Sequence, residues 1–72
     1  MAAKSTYQIV EIIGTSKTSW EEAAKIAVET AGKSLKDLII AEVVMLDIVV
    51  KDGKVNEYRA RMNVSFKYHG EK

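Results

Sequence analysis

The segment that most constrains the fold of this chain spans residues 38–50 and reads LIIAEVVMLDIVV. Only Glu42 and Asp47 interrupt the apolar run, and β-branched residues dominate it, so we predict a β-strand. Asp52 and Gly53 follow closely and favour a tight hairpin turn. A strand with one face on a core and the other in water alternates apolar and polar residues. Because this segment does not alternate, both of its faces must be covered.

The small size of the chain limits how it can be stabilised. It has 72 residues, no cysteine and no proline. A chain of this length is close to the lower limit at which an apolar core offsets the entropy lost on folding. Composition excludes disulfides and thiolate metal sites, so oligomerisation is the remaining common source of stability. We therefore expect a single domain over residues 1–72 that associates with copies of itself.

Charge and hydropathy exclude several other classes of protein. Eleven basic and ten acidic residues give a net charge of +1, which favours neither nucleic acid nor an anionic membrane. No signal peptide is apparent, because Met1–Ser5 is followed by an alternating strand pattern. The longest apolar run is too short to span a bilayer. We expect a soluble cytoplasmic protein.

The first strand is predicted over residues 6–13 and is followed by the polar segment 14–19 (GTSKTS). This segment lacks the several glycines and the fixed Lys-Ser/Thr spacing of a phosphate-binding P-loop. Thr18 and Ser19 each stand three residues before a glutamate, which is the spacing of a helix capping box. We therefore predict a helix cap, and the sequence is compatible with either register.

A helix is predicted over residues 19–31, where small apolar side chains recur at helical spacing. The stripe consists of Trp20, Ala23, Ala24, Ala27 and Ala31. Alanines let a helix lie close to a sheet, and Trp20 supplies most of the apolar area, so we interpret Trp20 as a packing residue rather than a ligand-stacking one. Gly32 suits the left-handed residue that often ends a helix.

The last strand, residues 58–68, has apolar side chains at even positions and polar ones at odd positions. If Asp52 and Gly53 form the turn, Lys51 faces Lys54 and all facing pairs have residue numbers with the same sum. The residues then predicted on the core face are Ile39, Ala41, Val43 and Met45. The opposite face would carry an aliphatic row of Leu38, Ile40, Val44, Leu46 and Ile48, unless a β-bulge shifts the pairs by one.

The order β-α-β-β predicts an α+β fold, with a three-stranded antiparallel sheet packed on one face by a single helix. Arg59 and Arg61 lie beside the aliphatic row on the other face. An exposed aliphatic surface of this size is typical of an interface or a ligand site. We expect further copies of the chain to cover it.

Several segments together resemble the dodecin family, and the resemblance spans nearly the whole chain. They are residues 7–16 (YQIVEIIGTS), 19–24 (SWEEAA), 41–44 (AEVV), 52–55 (DGKV) and 64–66 (VSF). Dodecins are small β-α-β-β proteins that assemble as hollow homododecamers and bind flavins for storage or sequestration without catalysis. The resemblance implies a non-enzymatic homododecamer that binds FMN, FAD or riboflavin.

The resemblance also indicates a ligand site. In flavin-binding dodecins a tryptophan stacks on the isoalloxazine ring at the position of Ile40, and a glutamine binds the flavin edge at the position of Arg59. The chain resembles a branch without this tryptophan, which is associated with cation binding. Ile40 can pack on a ring, Arg59 and Lys67 can hold a phosphate, and Asp47 is a fourth candidate ligand residue. We rank a flavin or related nucleotide first, and calcium or a purely structural shell second.

Other site chemistries have less support in the sequence. His69 is the only histidine and there is no cysteine, so nucleophilic triads are excluded on composition. The carboxylates weighed for a cation are Glu42, Asp47, Asp52 and Glu57. They form no linear calcium-binding motif, so several copies would have to combine them. The basic and aromatic residues of the last strand point to opposite faces, unlike those of a nucleic-acid-binding surface.

Overall fold

The computed structural model describes residues 6–67. Its elements are β1 (Tyr7–Ser16), α1 (Trp20–Ser34), β2 (Leu38–Lys51) and β3 (Lys54–Lys67). The strands form a three-stranded antiparallel sheet in the order β1-β3-β2, and α1 packs on one face of it. The predicted α+β fold with β-α-β-β order is confirmed. His69 and the predicted strand end at residue 68 lie outside the described residues.

The core is a contact between α1 and the β1–β3 pair. Its buried apolar side chains are Ala23, Ala27, Ala60, Met62 and Val64. Gly14 faces Ala60 on the neighbouring strand. A Cβ atom added at Gly14 would collide with the carbonyl oxygen of Ala23 and lie 2.7 Å from the Cβ of Ala27. The helix can lie this close to the sheet only because the facing residues have small side chains or none.

β1 is longer than predicted. Residues 14–16 remain paired with β3, so the expected strand end at residue 13 was wrong. The polar character of this segment reflects a helix cap that begins inside the strand. Ser16 Oγ donates to Glu22 Oε1 at 2.6 Å and accepts from the backbone N–H groups of Thr18 and Ser19 at 2.9 and 3.4 Å. The hydrogen bonds from Ser16 and Thr18 lower the pKa of the Glu22 carboxyl below its usual value.

The N-cap of α1 is Ser19, whose side chain accepts from the backbone N–H of Glu22 at 3.0 Å. Of the two predicted cap registers, the one with Ser19 and Glu22 is therefore formed. The carboxylate of Glu22 bonds to Ser16 instead of reaching back to Ser19, so the arrangement differs from a reciprocal capping box.

The helix also ends later than predicted. The backbone N–H of Leu35 donates to the carbonyl of Ala31, and α1 continues to Ser34. Gly32 therefore lies inside the helix, and the prediction that it ends the helix was wrong. The left-handed residue after the helix is Asp37, with a φ of 60°. Within residues 6–67, neither α1 nor any other segment is a helix of the length and apolarity needed to cross a membrane.

The hairpin turn has the predicted form, with Asp52 and Gly53 at positive φ values of 54° and 74°. Lys51 faces Lys54, as expected. Residues 40–43 of β2 also pair with β3 as predicted. Between these two stretches, bulges shift the pairing of residues 45–49 by one residue. A shift of one residue moves each side chain in that stretch to the other face of the sheet.

The bulges change which β2 residues face α1. Leu38, Leu46 and Ile48 pair with Phe66, Ala60 and Tyr58 and lie on the helix side. Their predicted position on the opposite face was therefore wrong, and Ile40 keeps its predicted place. Met45, predicted to face the core, instead lies opposite Arg61 on the other face.

The helix covers β1 and β3 but leaves most of β2 exposed on both faces. On the helix side, Val43 and Leu46 are 46% and 47% exposed. On the other side, Ile40 and Met45 are 59% and 50% exposed. The helix therefore does not cover β2 as the sequence predicted. Apolar exposure on both faces of one strand is typical of a surface that an assembly buries.

We predict opposite effects of the same substitution at two glycines. Gly14→Ala should lower the free energy of unfolding by about 1–3 kcal/mol, because α1 must move away from the strand. Gly32→Ala is the control: its added Cβ would lie 3.9 Å from Leu38 Cδ1, and alanine should stabilise the helix by about 0.5–1 kcal/mol. Urea unfolding at one fixed protein concentration measures both. A neutral Gly14→Ala would show that the close contact is not required.

Candidate functional site

The candidate site is the sheet face opposite α1, which we call the open face. Facing residues form rows across it: Thr15, Arg59 and Asp47; Ile13, Arg61 and Met45; Glu11, Asn63 and Glu42; Ile9, Ser65 and Ile40; and finally Tyr7 and Lys67. Paired residues of neighbouring strands project to the same side of a sheet. All four ligand residues predicted from the sequence therefore lie on the open face.

Arg59 and Asp47 form a bidentate ion pair. Arg59 Nε donates to Asp47 Oδ1 at 2.7 Å, and Arg59 Nη2 donates to Asp47 Oδ2 at 2.8 Å. The hydrogen bonds from the guanidinium lower the pKa of the Asp47 carboxyl, and those to the carboxylate raise the pKa of Arg59. The side chains are 35% and 37% exposed, so water and solutes can reach the pair. Sequence reasoning missed this pair because it placed Asp47 one residue out of register.

Asp47 also connects the open face to the helix. Its backbone carbonyl accepts a hydrogen bond from Trp20 Nε1 at 3.1 Å. The Trp20 ring packs edge-on against Tyr58, with ring centroids 5.1 Å apart and an interplanar angle of 72°. Trp20 is therefore a packing residue, as predicted, and it fixes the backbone of Asp47 while the side chain of Asp47 projects to the other face.

The predicted ligand residues fall into two groups on one chain. Ile40 lies opposite Ser65 near one end of the open face, and Lys67 lies in the next row. Arg59 and Ser65 are six positions apart on β3, which is about 20 Å at the usual rise of a strand. A single small molecule on one chain therefore does not contact both groups. Contact with both would require an extended ligand or residues from different copies.

The open face also carries a row of oxygen-bearing side chains. Glu11 and Glu42 flank Asn63 on neighbouring strands, with two carboxylates and one amide side by side. Hard cations such as calcium take about six to eight oxygen ligands, so this row would supply part of a site. Within residues 6–67, no group of three or more histidine, cysteine or acidic side chains is placed to hold a metal ion. Other copies or water would complete the coordination.

Sequence reasoning identified Glu42 but missed Glu11 and Asn63. Asn63 is a polar residue within the alternation of β3, and Glu11 lies in a strand whose pairing partner was not predicted. Only the β1–β3 register places these two residues in one row. Asp52 lies in the hairpin turn, and Glu57 lies opposite Val49 beyond Arg59, so neither belongs to this row.

Within residues 6–67, two of the cavities beside α1 have none of the predicted ligand residues in their lining. One, of about 330 Å³, lies between the start of α1 and the exposed part of β2, where Trp20, Val43 and Leu46 line it. The other, of about 520 Å³, lies between α1 and β1 near Ile12 and Ile26. Both are lined largely by apolar side chains.

The fold and the open face define a class of small β-α-β-β protein whose single helix leaves one sheet face for ligands or further copies. The dodecin family model matches residues 6–69, so the chain belongs to the dodecin family. The resemblance noted in the sequence is confirmed.

Individual relatives show the same similarity. The calcium dodecin of Mycobacterium tuberculosis is 44% identical over 63 residues, which cover 88% of this chain and 89% of that protein. A dodecin from Streptomyces davaonensis superposes with a TM-score of 0.87 at 27% identity, covering 93% of this chain and 98% of that one. The crystal structure of the M. tuberculosis calcium dodecin, described as a calcium-chelating immunodominant antigen with a novel calcium-binding site, superposes with a TM-score of 0.81. Its identity is 40%, and the alignment covers 93% of this chain and 96% of that one.

Proposed function

We propose that this chain forms a non-catalytic homo-oligomer, a dodecamer by family resemblance, that stores or sequesters a small ligand on the open face. The exposure of β2 on both faces carries this proposal. One copy of α1 does not cover β2, and exposed apolar side chains on both faces of one strand are typical of a surface that other copies bury. Identical copies are the simplest partners, since a small chain without disulfides gains stability by association.

Calcium is the first candidate ligand. The row of Glu11, Asn63 and Glu42 offers oxygen ligands on a face that assembly would bring near other copies. Similarity to the calcium dodecin of M. tuberculosis supports the same ligand class. On these grounds we rank calcium ahead of the flavin that the sequence favoured.

A flavin or related nucleotide is the second candidate ligand. Ile9 and Ile40 flank Ser65 in one row and are 62% and 59% exposed, so they offer an apolar platform for an aromatic ring. Lys67 lies in the next row and can contact a phosphate. The platform has no aromatic side chain at Ile40, and stacking would therefore be weaker than on a tryptophan.

Light scattering of the protein as it elutes from a sizing column tests the assembly. We expect a mass several times the 8.0 kDa of one chain, and twelve times that mass if the assembly is a dodecamer. Ile9→Glu should shift the protein towards smaller species, because it places a charge on the face that copies are proposed to cover. Lys17→Glu introduces the same side chain in an exposed loop and should leave the mass unchanged. A folded wild-type monomer at micromolar concentration would contradict the proposal.

Calorimetric titration with calcium after chelator treatment tests the first ligand. We expect binding to the wild type and roughly tenfold weaker binding to Glu42→Gln, because the amide removes a charged oxygen ligand. Glu29→Gln, on the exposed side of α1, is the matched control and should bind like the wild type. Equal affinity in all three proteins would exclude the row containing Glu42.

Quenching of riboflavin fluorescence tests the second ligand. If the apolar platform binds the ring, Ile40→Trp should raise the affinity by about 1 kcal/mol through stacking. Ile40→Leu keeps an aliphatic side chain without a π face and should show no gain. An unchanged affinity in Ile40→Trp would mean that the platform around Ile40 does not bind flavin.

A further inference from the structure

Two arginines project from β3 onto the open face in adjacent rows. Arg59 is held by Asp47, whereas Arg61 has no carboxylate within ion-pair distance among residues 6–67. Residues two positions apart on a strand lie on the same face, about 7 Å apart along it. Guanidinium groups bind phosphate oxygens through paired N–H donors, and two guanidiniums at this spacing can share one phosphate or diphosphate.

Asp47 occupies the donors of Arg59 that such an anion would use. Both carboxylate oxygens accept from Arg59, through Nε and Nη2, at 2.7 and 2.8 Å. Carboxylates and phosphates bind the same edge of a guanidinium in the same bidentate geometry. A phosphate that binds Arg59 through this Nε–Nη2 edge therefore has to displace the carboxylate of Asp47.

Displacement requires only a side-chain movement. The backbone carbonyl of Asp47 is held by Trp20, so the strand stays in place while the carboxylate can rotate away. The pair is more than a third exposed, which allows a ligand to approach it and water to solvate the released carboxylate. Exposed ion pairs contribute little net stability, and although the bidentate geometry makes this pair one of the stronger ones, phosphate contacts to two guanidiniums can offset the cost of opening it.

We propose that Asp47 is an internal competitor for a phosphate-bearing ligand at Arg59. The ligand class is a phosphate monoester or diphosphate, whose charge and additional oxygens can engage Arg61 as well as Arg59. A ligand with a single carboxylate gains little, because it exchanges one carboxylate on Arg59 for another. Asp47 thereby makes the open face selective for phosphates. This inference goes beyond the proposed function, because Arg59 lies about 20 Å along β3 from the Ile40 platform of the same chain, and it does not depend on a flavin ring.

Inorganic pyrophosphate is the probe, because it carries the phosphate chemistry without a ring. Its affinity for the assembled protein is measured by calorimetry at low ionic strength without divalent cations. Asp47→Asn should bind pyrophosphate about three- to fivefold more tightly than the wild type, which is the range expected when one exposed ion pair no longer competes. The gain should shrink with added salt.

Three further variants distinguish competition by Asp47 for Arg59 from the general effect of removing a negative charge near the arginines. Glu57→Gln removes a nearby negative charge that is not hydrogen-bonded to Arg59, and its gain should stay below about twofold. Arg59→Gln added to Asp47→Asn should abolish the gain. Asp47→Glu keeps the charge, but its longer side chain misaligns the bidentate pair, and we expect a gain of about twofold.

The outcomes either support the inference or overturn it. A gain in Asp47→Asn that exceeds that of Glu57→Gln and requires Arg59 supports it. If Asp47→Asn fails to assemble, the pyrophosphate affinity of Asp47→Glu is compared with that of the wild type instead, and a higher affinity supports the inference. The inference is overturned by unchanged pyrophosphate affinity in the assembled Asp47 variants, by an equal gain in Glu57→Gln, or by a gain that persists without Arg59. Failure of riboflavin to bind would contradict only the flavin candidate.

Discussion

The close contact between α1 and β1 at Gly14 determines the rest of the architecture. Because Gly14 has no side chain and Ala23 and Ala27 have small ones, the backbone of the helix approaches the strand directly. This contact centres α1 over β1 and β3, where the buried core lies. The remaining strand, β2, is left with exposed apolar side chains on both faces. The proposal that further copies of the chain cover β2 therefore rests on the position of one helix.

The bulges in β2 determine the chemistry of the open face. Without them Asp47 would face the helix side, and Arg59 would lack its partner. With them Asp47 carries two interactions on opposite sides of the sheet, a backbone hydrogen bond to Trp20 and an ion pair to Arg59. β-Bulges commonly redirect side chains near functional sites, and here they align Asp47 of the largely apolar β2 with Arg59 of β3.

Membership of the dodecin family explains the fold, whereas the geometry of the open face bears on which ligand the chain binds. The family match accounts for the fold and for the expectation of a small ligand. The ligand itself depends on local chemistry: a row of two glutamates and an asparagine, an apolar platform at Ile40, and an arginine pair that Asp47 partly occupies. These three regions lie in separate rows of one face, so a cation and an anion need not compete for the same residues.

The sequence by itself determined the order of the elements, the turn at Asp52 and Gly53, the alternation of β3, the presence of a helix cap in one of two registers, and the family. These features depend on local patterns of side chains, which neighbouring residues establish. Only the tertiary structure decided the register of β2, the pairing of Asp47 with Arg59 and the row that joins Glu11 to Asn63. In β2 almost every position is apolar, so alternation cannot distinguish one register from the next, and a bulge leaves no mark in the pattern. The packing of the three strands and the helix makes that choice.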